Sequence, residues 1–394
     1  MNLENIWFAA ALWMGLAFLA SLISIRLGIS VALIEILLGV AAGNFLGLHQ
    51  TDAWMNFLAL LGSGVLTFLA GAEIDPASLR ANLKASLAIG VVSFLLPFLG
   101  VWFFAQHVLG WELHAAQIAG IALSTTSVAV VYAVMIEGGL GDTPLGKMLL
   151  AACFLTDFGT VLTLGILFAS FNWWLLVFVV VMCVMLWFMP AWTRFLVSRL
   201  GTRRVSEPEM KFLFLVLFLL GGLATTARSE AVLPAYLIGL VVAGVFVRDK
   251  TLIHRMRTVA FTLLTPFYFL KAGLYVSLPA LAAGAGLIAV LLALKMGTKL
   301  AGVWPLCRYF CMERREANFS ALLMATGLTF GTISALFGLQ NKLISEFQYS
   351  VLVSVVILSA FVPTLIAERW FRPALEAMHS WGLAYARRHS SKHA

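Results

Sequence analysis

The chain has 394 residues, of which 62% are hydrophobic and only 11% charged, with a formal net charge of +8. Soluble domains carry about 25% charged residues, and surface grows too fast relative to volume for a soluble fold to hide this much apolar area. A water-soluble globular domain is thereby excluded. Runs of about 20 apolar residues recur from end to end, the length a bilayer-spanning helix needs. Backbone polar groups in lipid must be satisfied internally, by helices or by a closed barrel. Barrel strands read as alternating segments of about 10 residues; the runs here are continuous, so the expected fold class is an all-α polytopic membrane protein.

Hydropathy predicts thirteen spans, roughly 4–25, 29–47, 56–74, 85–106, 113–136, 147–170, 173–193, 211–227, 231–247, 258–278, 280–304, 317–337 and 347–367. The first is long and lacks a basic leader, so it is expected to be retained rather than cleaved. Glu35 lies inside the second span, where it can line the cytoplasmic approach or pair a lysine. Glu73 lies at the end of the third, with Asp75, Arg80 and Lys84 following, and reads as part of a loop-anchoring ion pair. The fifth span carries Ser124, Thr125, Thr126 and Ser127 near its middle, and the sixth carries Asp157 at its centre. The seventh leads into the longest loop, about 194–210. Lys271 falls in the tenth span and Lys295 and Lys299 in the eleventh. The twelfth holds Thr326, Gly327, Thr329, Gly331, Thr332 and Ser334. The four cysteines read as small buried hydrophobes, and none of the seven histidines falls at mid-membrane.

The basic residues test this map. With thirteen crossings, 21 of the 26 Lys and Arg collect on one side, Arg228 and Lys342 on the other, and Lys271, Lys295 and Lys299 inside spans. This asymmetry marks the basic side as cytoplasmic, with the N-terminus outside and the C-terminus inside. It also accounts for the net charge without a nucleic-acid partner.

The two halves echo each other at an offset of roughly 200–205 residues. Residues 36–43 echo 237–244, Phe68-Leu69-Ala70-Gly71 echoes residues 269–273, and Ser124–Ser127 echoes residues 329–332. Spans 1–6 thus pair with spans 8–13, and the seven crossings between partners make the repeats inverted, an arrangement of secondary transporters. The expected organisation is one transporter unit, with a first repeat over 1–170, a linking helix and cytoplasmic loop over 171–210, a second repeat over 211–367 and a basic tail over 368–394.

Polar groups inside spans locate the chemistry. The Ser/Thr run of span 5 and the Thr/Gly run of span 12 suit helices that unwind and cross, freeing carbonyls and helix ends for an ion; tight packing by small residues is the plainer alternative. A charged Asp at mid-membrane costs about 2.5–3.5 kcal/mol on insertion scales. A cation and a proton, taken in turn, offset that cost at Asp157, with Thr156 and Thr160 supplying neutral oxygens of the kind hard cations prefer. A carboxylate locked to a lysine is the structural alternative. Lys295 and Lys299 share a helix face. Lys295 and Lys271 are too deep to reach water, whereas Lys299, nearer the cytoplasmic end, is expected to snorkel.

At these residues the chain resembles the monovalent cation/proton antiporters, the sodium/proton exchanger superfamily, with features of its Kef-like branch. Residues 68–75 look like that family's "FLAGLEID" element. Leu123–Ser127, Gly146-Lys147 and Leu155-Thr156-Asp157 follow in its order, and residues 327–331 and 358–363 look like its closing helices. The resemblance implies two inverted six-helix repeats with crossed unwound helices, a homodimer, no cofactor, and transport across a bacterial inner (plasma) membrane. It implies that Asp157 binds the transported Na+ or K+ in competition with H+. Thr156, Thr125, Thr126 and Ser127 stand beside it, Thr329, Gly331 and Thr332 lie on the unwound helix, and Lys295 or Lys271 balances the charge. Electrogenic members carry two adjacent acids. Here Thr156 takes the first position, so one proton per cation is expected unless a lysine titrates. Kef-type members usually continue into a nucleotide-binding domain, so either regulation differs or the sequence is truncated. A channel on the same fold would need a continuous pore. A membrane-embedded aspartyl enzyme would need a second acid beside Asp157, and none is found at mid-membrane.

Overall fold

The computed structural model describes residues 5–27, 31–46, 48, 51–72, 83–137, 140, 143–168, 173–200, 207–227, 232–246 and 250–373. Glu73, Asp75 and Arg80, much of the loop after residue 200, Arg228, Arg248 and the tail beyond residue 373 lie outside these residues, and with them the ion pair expected at Glu73.

The described elements are helices. They are α1 (Ile6–Leu27), α2 (Val31–Leu46), α3 (Ala53–Ala72), α4 (Leu83–His107), α5 (Leu113–Ser124), α6 (Val128–Glu137), α7 (Pro144–Leu167), α8 (Trp173–Leu200), α9 (Pro208–Thr226), α10 (Val232–Phe246), α11 (Lys250–Val259), α12 (Thr265–Leu274), α13 (Leu278–Tyr309), α14 (Arg314–Met324), α15 (Thr329–Gln340) and α16 (Glu346–Ile366). Every predicted span falls on helix, and among the described residues nine helices are long and apolar enough to cross a bilayer, with shorter apolar ones beside them. The differences are local. Spans 5 and 12 are each two short helices, α5–α6 and α14–α15. Span 7 runs on to Leu200, its basic end continuing as helix. Span 10 begins earlier, as the basic helix α11. A wide turn over Ala260–Leu264 joins α11 to α12, where the Thr265 N–H reaches back to the Ala260 carbonyl. Pro266 has no N–H of its own to continue the ladder. Cys183 is exposed rather than buried, because α8 turns much of its surface outward.

The chain divides into two compact units, each drawn from both halves of the sequence: 1–76 with 161–274, and 77–160 with 275–394. In the first unit α3 packs on α10 and α2 on α12. Both contacts are made by bare backbone. A Cβ on Gly71 would collide with the Tyr236 carbonyl and lie 2.9 Å from the Leu240 nitrogen; one on Gly239 would collide with the Phe68 carbonyl and lie 2.9 Å from the Ala72 nitrogen. Gly39 and Gly273 repeat this reciprocity, against Leu270 and against Ile36 with Val40. Close approach of this kind requires glycine. The two interfaces exchange into one another at the offset of the sequence repeat. Phe68, Leu213, Leu220, Ile238, Met256 and Leu264 fill the core beside them.

The second unit contains α4 to α6, the first part of α7, and α13 to α16. Its core brings Ile89, Leu149, Cys153, Val303, Phe319 and Met324 together. This unit holds Asp157, Lys295 and Lys299; Lys271 belongs to the first.

Candidate functional site

The sequence Ser124-Thr125-Thr126-Ser127 ends one helix and starts another through its hydroxyls. Ser124 Oγ donates to the Ile121 carbonyl at 2.8 Å and Thr125 Oγ1 to that of Ala122 at 3.1 Å. Both close the last turn of α5, where hydroxyls compete with the backbone ladder. Thr125 is extended, at φ −64° and ψ 154°. Ser127 then caps α6, its Oγ accepting from the Val130 N–H at 3.3 Å. The second break is built alike. Thr326 Oγ1 donates to the Leu323 carbonyl at 2.7 Å, residues 325–328 leave the helix, and α15 starts at Thr329.

The two breaks cross. The Ser127 N–H donates to the Thr326 carbonyl at 3.2 Å, and Thr126 Oγ1 donates to the Met324 carbonyl at 2.9 Å. Gly331 lets α15 come up to α5, since a Cβ there would lie 2.8 Å from the Ala122 carbonyl oxygen and 3.1 Å from Thr125 Oγ1. Thr332 Oγ1 donates to the Leu328 carbonyl at 2.7 Å. Thr125, Thr126, Ser127, Gly331 and Thr332 thus meet at one place, all buried, with Thr329 half-buried at the head of α15.

Asp157 is buried on α7 at 1% exposure, and its Oδ1 has no hydrogen-bond partner. Thr156 Oγ1 donates to the Cys153 carbonyl at 2.7 Å, and Thr160 Oγ1 to the Thr156 carbonyl at 2.9 Å. Their hydroxyl protons are committed to the helix, which leaves oxygen lone pairs available to a cation. One turn before the acid, Cys153 Sγ lies 3.7 Å from Met324 Sδ, tying α7 to the end of α14.

Two buried lysines enter from α13. Lys295 Nζ has no hydrogen-bond partner and stands against Gly327, where a Cβ would overlap it; Thr125 Oγ1 and Ser359 Oγ line the same spot, each 3.2 Å from that Cβ position. Lys299 does not snorkel. It is fully buried, and its Nζ donates to Ser93 Oγ and to Thr126 Oγ1, both at 2.9 Å. These two acceptors replace water, which removes the reason for the chain to reach the surface. Through Thr126 the Lys299 ammonium reaches the crossing at Met324, which also meets Cys153, one turn before Asp157. Lys271 is buried on α12 in the other unit, and Glu35 is buried on α2 there with Oε2 unpartnered. Sequence reasoning missed Ser93 and misplaced Lys299. The four-residue spacing from Lys295 was the one signal that both lysines face the same way.

No group of three or more His, Cys, Asp or Glu is placed to hold a metal ion among the described residues. The arrangement is one acid with hydroxyls, freed carbonyls and ammonium groups. Such a set binds and releases a hard monovalent cation or a proton.

Comparison with known proteins places the chain in a family. Residues 14–372 match the model of the family described as sodium/hydrogen exchanger, transmembrane. Probable Na(+)/H(+) antiporter 3 of Methanocaldococcus jannaschii is 21% identical over 346 residues, covering 84% of this chain and 88% of that protein. The Na(+)/H(+)-K(+) antiporter GerN of Bacillus cereus is 24% identical over 359 residues, covering 87% and 90%. Both relatives are named as transporters, not enzymes. The solved structure of the sodium proton antiporter MjNhaP1 from Methanocaldococcus jannaschii at pH 8 superposes with a TM-score of 0.68 at 18% identity, over 97% of this chain and 99% of that one, and shares its fold.

Proposed function

Because the chain belongs to the sodium/hydrogen exchanger family, we propose that it exchanges a monovalent cation, Na+ or K+, for H+ by alternating access, with both ions competing for Asp157. The observation that carries this reading is the buried, unpartnered Oδ1 of Asp157 in the same unit as the crossed breaks. A carboxyl oxygen kept out of water and without a hydrogen bond is costly unless something charged visits it. Ionised Asp157 takes the cation, with Thr156 and the hydroxyls of Thr125, Thr126 and Ser127 as neutral oxygens. Protonated Asp157 returns neutral. The unwound segment at Thr329, Gly331 and Thr332 and the freed carbonyls beside it complete the cage.

One carboxylate per site gives one proton per monovalent cation, an electroneutral exchange. The name of GerN supports keeping K+ beside Na+. Residues 1–170 and 211–367 act as the inverted repeats around the linker 171–210, and the reciprocal glycine pairs support that division. The protein works in the cytoplasmic membrane as a homodimer, with its N-terminus outside and its basic tail inside.

Proteoliposomes with an internal pH dye test this. Addition of Na+, K+ or Li+ in turn should alkalinise or acidify the lumen according to the imposed gradient, saturably and independently of a voltage clamp. A flux that follows voltage without saturating would replace the exchanger with a channel. Silence toward all three ions would remove exchange altogether.

A further inference from the structure

Ser93 stands on α4, a helix that nothing in the sequence marks as part of a site. Its level is set by packing. Ser86 Oγ donates to the Met148 carbonyl at 3.3 Å, Gly90 lies against the Ala152 carbonyl and Leu155, and Gly159 lies against the Phe94 ring. The contacts advance together along both chains, so α4 and α7 run side by side in the same sense, and Ser93 is level with Asp157. On its other side α4 meets α13 running the opposite way, with Gly100 against Thr298 and Gly302 against Val92 and Leu96. This register delivers Lys299 to Ser93.

The hydrogen bonds form a short relay. Lys299 Nζ donates to Ser93 Oγ and to Thr126 Oγ1, and Thr126 donates onward to the Met324 carbonyl. An ammonium has three N–H donors, and two are committed here. Asp157 Oδ1 is a buried acceptor without a partner, and Lys295, one turn away, is a buried donor without one.

We propose that Ser93 is a positioning residue for exchange. Together with Thr126 it fixes the Lys299 ammonium toward Asp157, and so selects Lys299 over Lys295 as the lysine that balances the carboxylate while neither cation nor proton is on it. This rests on the reading of Asp157 as the shared site. The titratable groups at this level are Asp157 and Cys153 on α7 and Lys295 on the helix of Lys299 itself. At this level α4 offers the neutral Ser93 alone. Arg314, Arg315 and Glu316 stand at the opposite end of α14 from Met324, and Glu346 at the start of α16.

Removing the Ser93 oxygen takes one acceptor from the ammonium and so disfavours its charged form. The test measures Na+-driven proton exchange against pH in proteoliposomes for the wild type, Ser93→Ala, Ser93→Thr and Asp157→Asn, and for Ser93→Ala combined with Lys295→Met or Lys299→Met. Na+ protection against thermal unfolding across the same pH range gives a second readout for variants too slow to assay. Ser93→Ala should move the midpoint of the profile to higher pH by about one unit, because a less well-held ammonium stabilises the Asp157 carboxylate less, with the rate at its optimum kept within about threefold. Ser93→Thr should restore the profile. The shift should persist with Lys295→Met and vanish with Lys299→Met. A Ser93→Ala profile that superimposes on the wild type, or a shift that survives Lys299→Met, overturns the proposal. If Ser93→Ala does not fold, Ser93→Cys, similar in size and a poorer acceptor, takes its place with the same outcomes. Wild-type exchange by Asp157→Asn would instead sink the reading of the site itself, and a dead Asp157→Asn with an unshifted Ser93→Ala would sink only the role of Ser93.

Discussion

The first unit joins its closest helices through bare backbone, whereas the second adds hydroxyls, freed carbonyls and buried ammonium groups to such contacts. Gly71 against Tyr236 and Gly39 against Leu270 leave no space for a side chain. Such contacts have one arrangement, because backbone cannot rotate aside. At the crossed breaks side-chain tips join the backbone neighbours. Lys295 Nζ stands over Gly327, and Lys299 is held by two hydroxyls. These groups can change partners without moving a helix. Rigidity and exchangeable polar contacts are thus assigned to different parts of one chain, as a carrier of ions requires.

The sharpest way to break this comparison is Asp157→Asn. It should lower exchange by at least about 100-fold while leaving thermal stability unchanged or improved, because the substitution removes a buried charge. Exchange near the wild-type rate would place the chemistry elsewhere. Competition gives the next largest effect. A protonated Asp157 holds no cation, so below its titration midpoint the cation concentration for half-maximal exchange should rise about tenfold per pH unit, and it should level off above that midpoint. A flat response would mean that proton and cation use separate groups.

The glycine contrast can be sharpened directly. Gly239→Ala drives a Cβ into a fixed carbonyl and should cost about 1–3 kcal/mol, read as a lower unfolding temperature with exchange per folded molecule retained. Gly327→Ala meets side-chain tips alone, the end of the flexible Lys295 and the hydroxyls of Thr125 and Ser359, so it should cost less in melting than Gly239→Ala and alter exchange instead. Equal loss of stability in both would erase the distinction. The smallest effect is expected at Arg255, whose Nη1 lies 2.5 Å from Glu207 Oε1 at a part-exposed position. Arg255→Ala should cost about 0.5 kcal/mol, visible only as a small change in melting.

Much of this was legible in the sequence, for physical reasons. Continuous apolar runs of this length read as membrane helices, and helices are what the described residues form. An ionised side chain is expensive at mid-membrane, so Asp157 stood out. The Ser/Thr and Thr/Gly runs revealed both breaks, because hydroxyls that bond back to carbonyls end helices locally. The seat of Lys299 was not legible. Lys299 was judged by its distance from the helix end, yet its place is decided by Ser93, 206 residues away in sequence, and a single serine in an apolar helix carries no local signal. Lys271 drew attention by depth alone, which does not tell one unit from the other.

The hydrogen bonds across the crossing also have a meaning for how the protein is made. Thr126 and its acceptor Met324 are 198 residues apart in the chain. At a synthesis rate of about 5–20 residues per second, the first break emerges roughly 10–40 s before the second exists. For that interval the nascent chain holds a gap in the middle of a membrane helix whose backbone donor at Ser127 has no native acceptor. Unmet polar backbone is poorly tolerated in lipid, so the half-made protein is the most vulnerable form of this molecule, and completion of the second break is the step that ends its exposure to quality control.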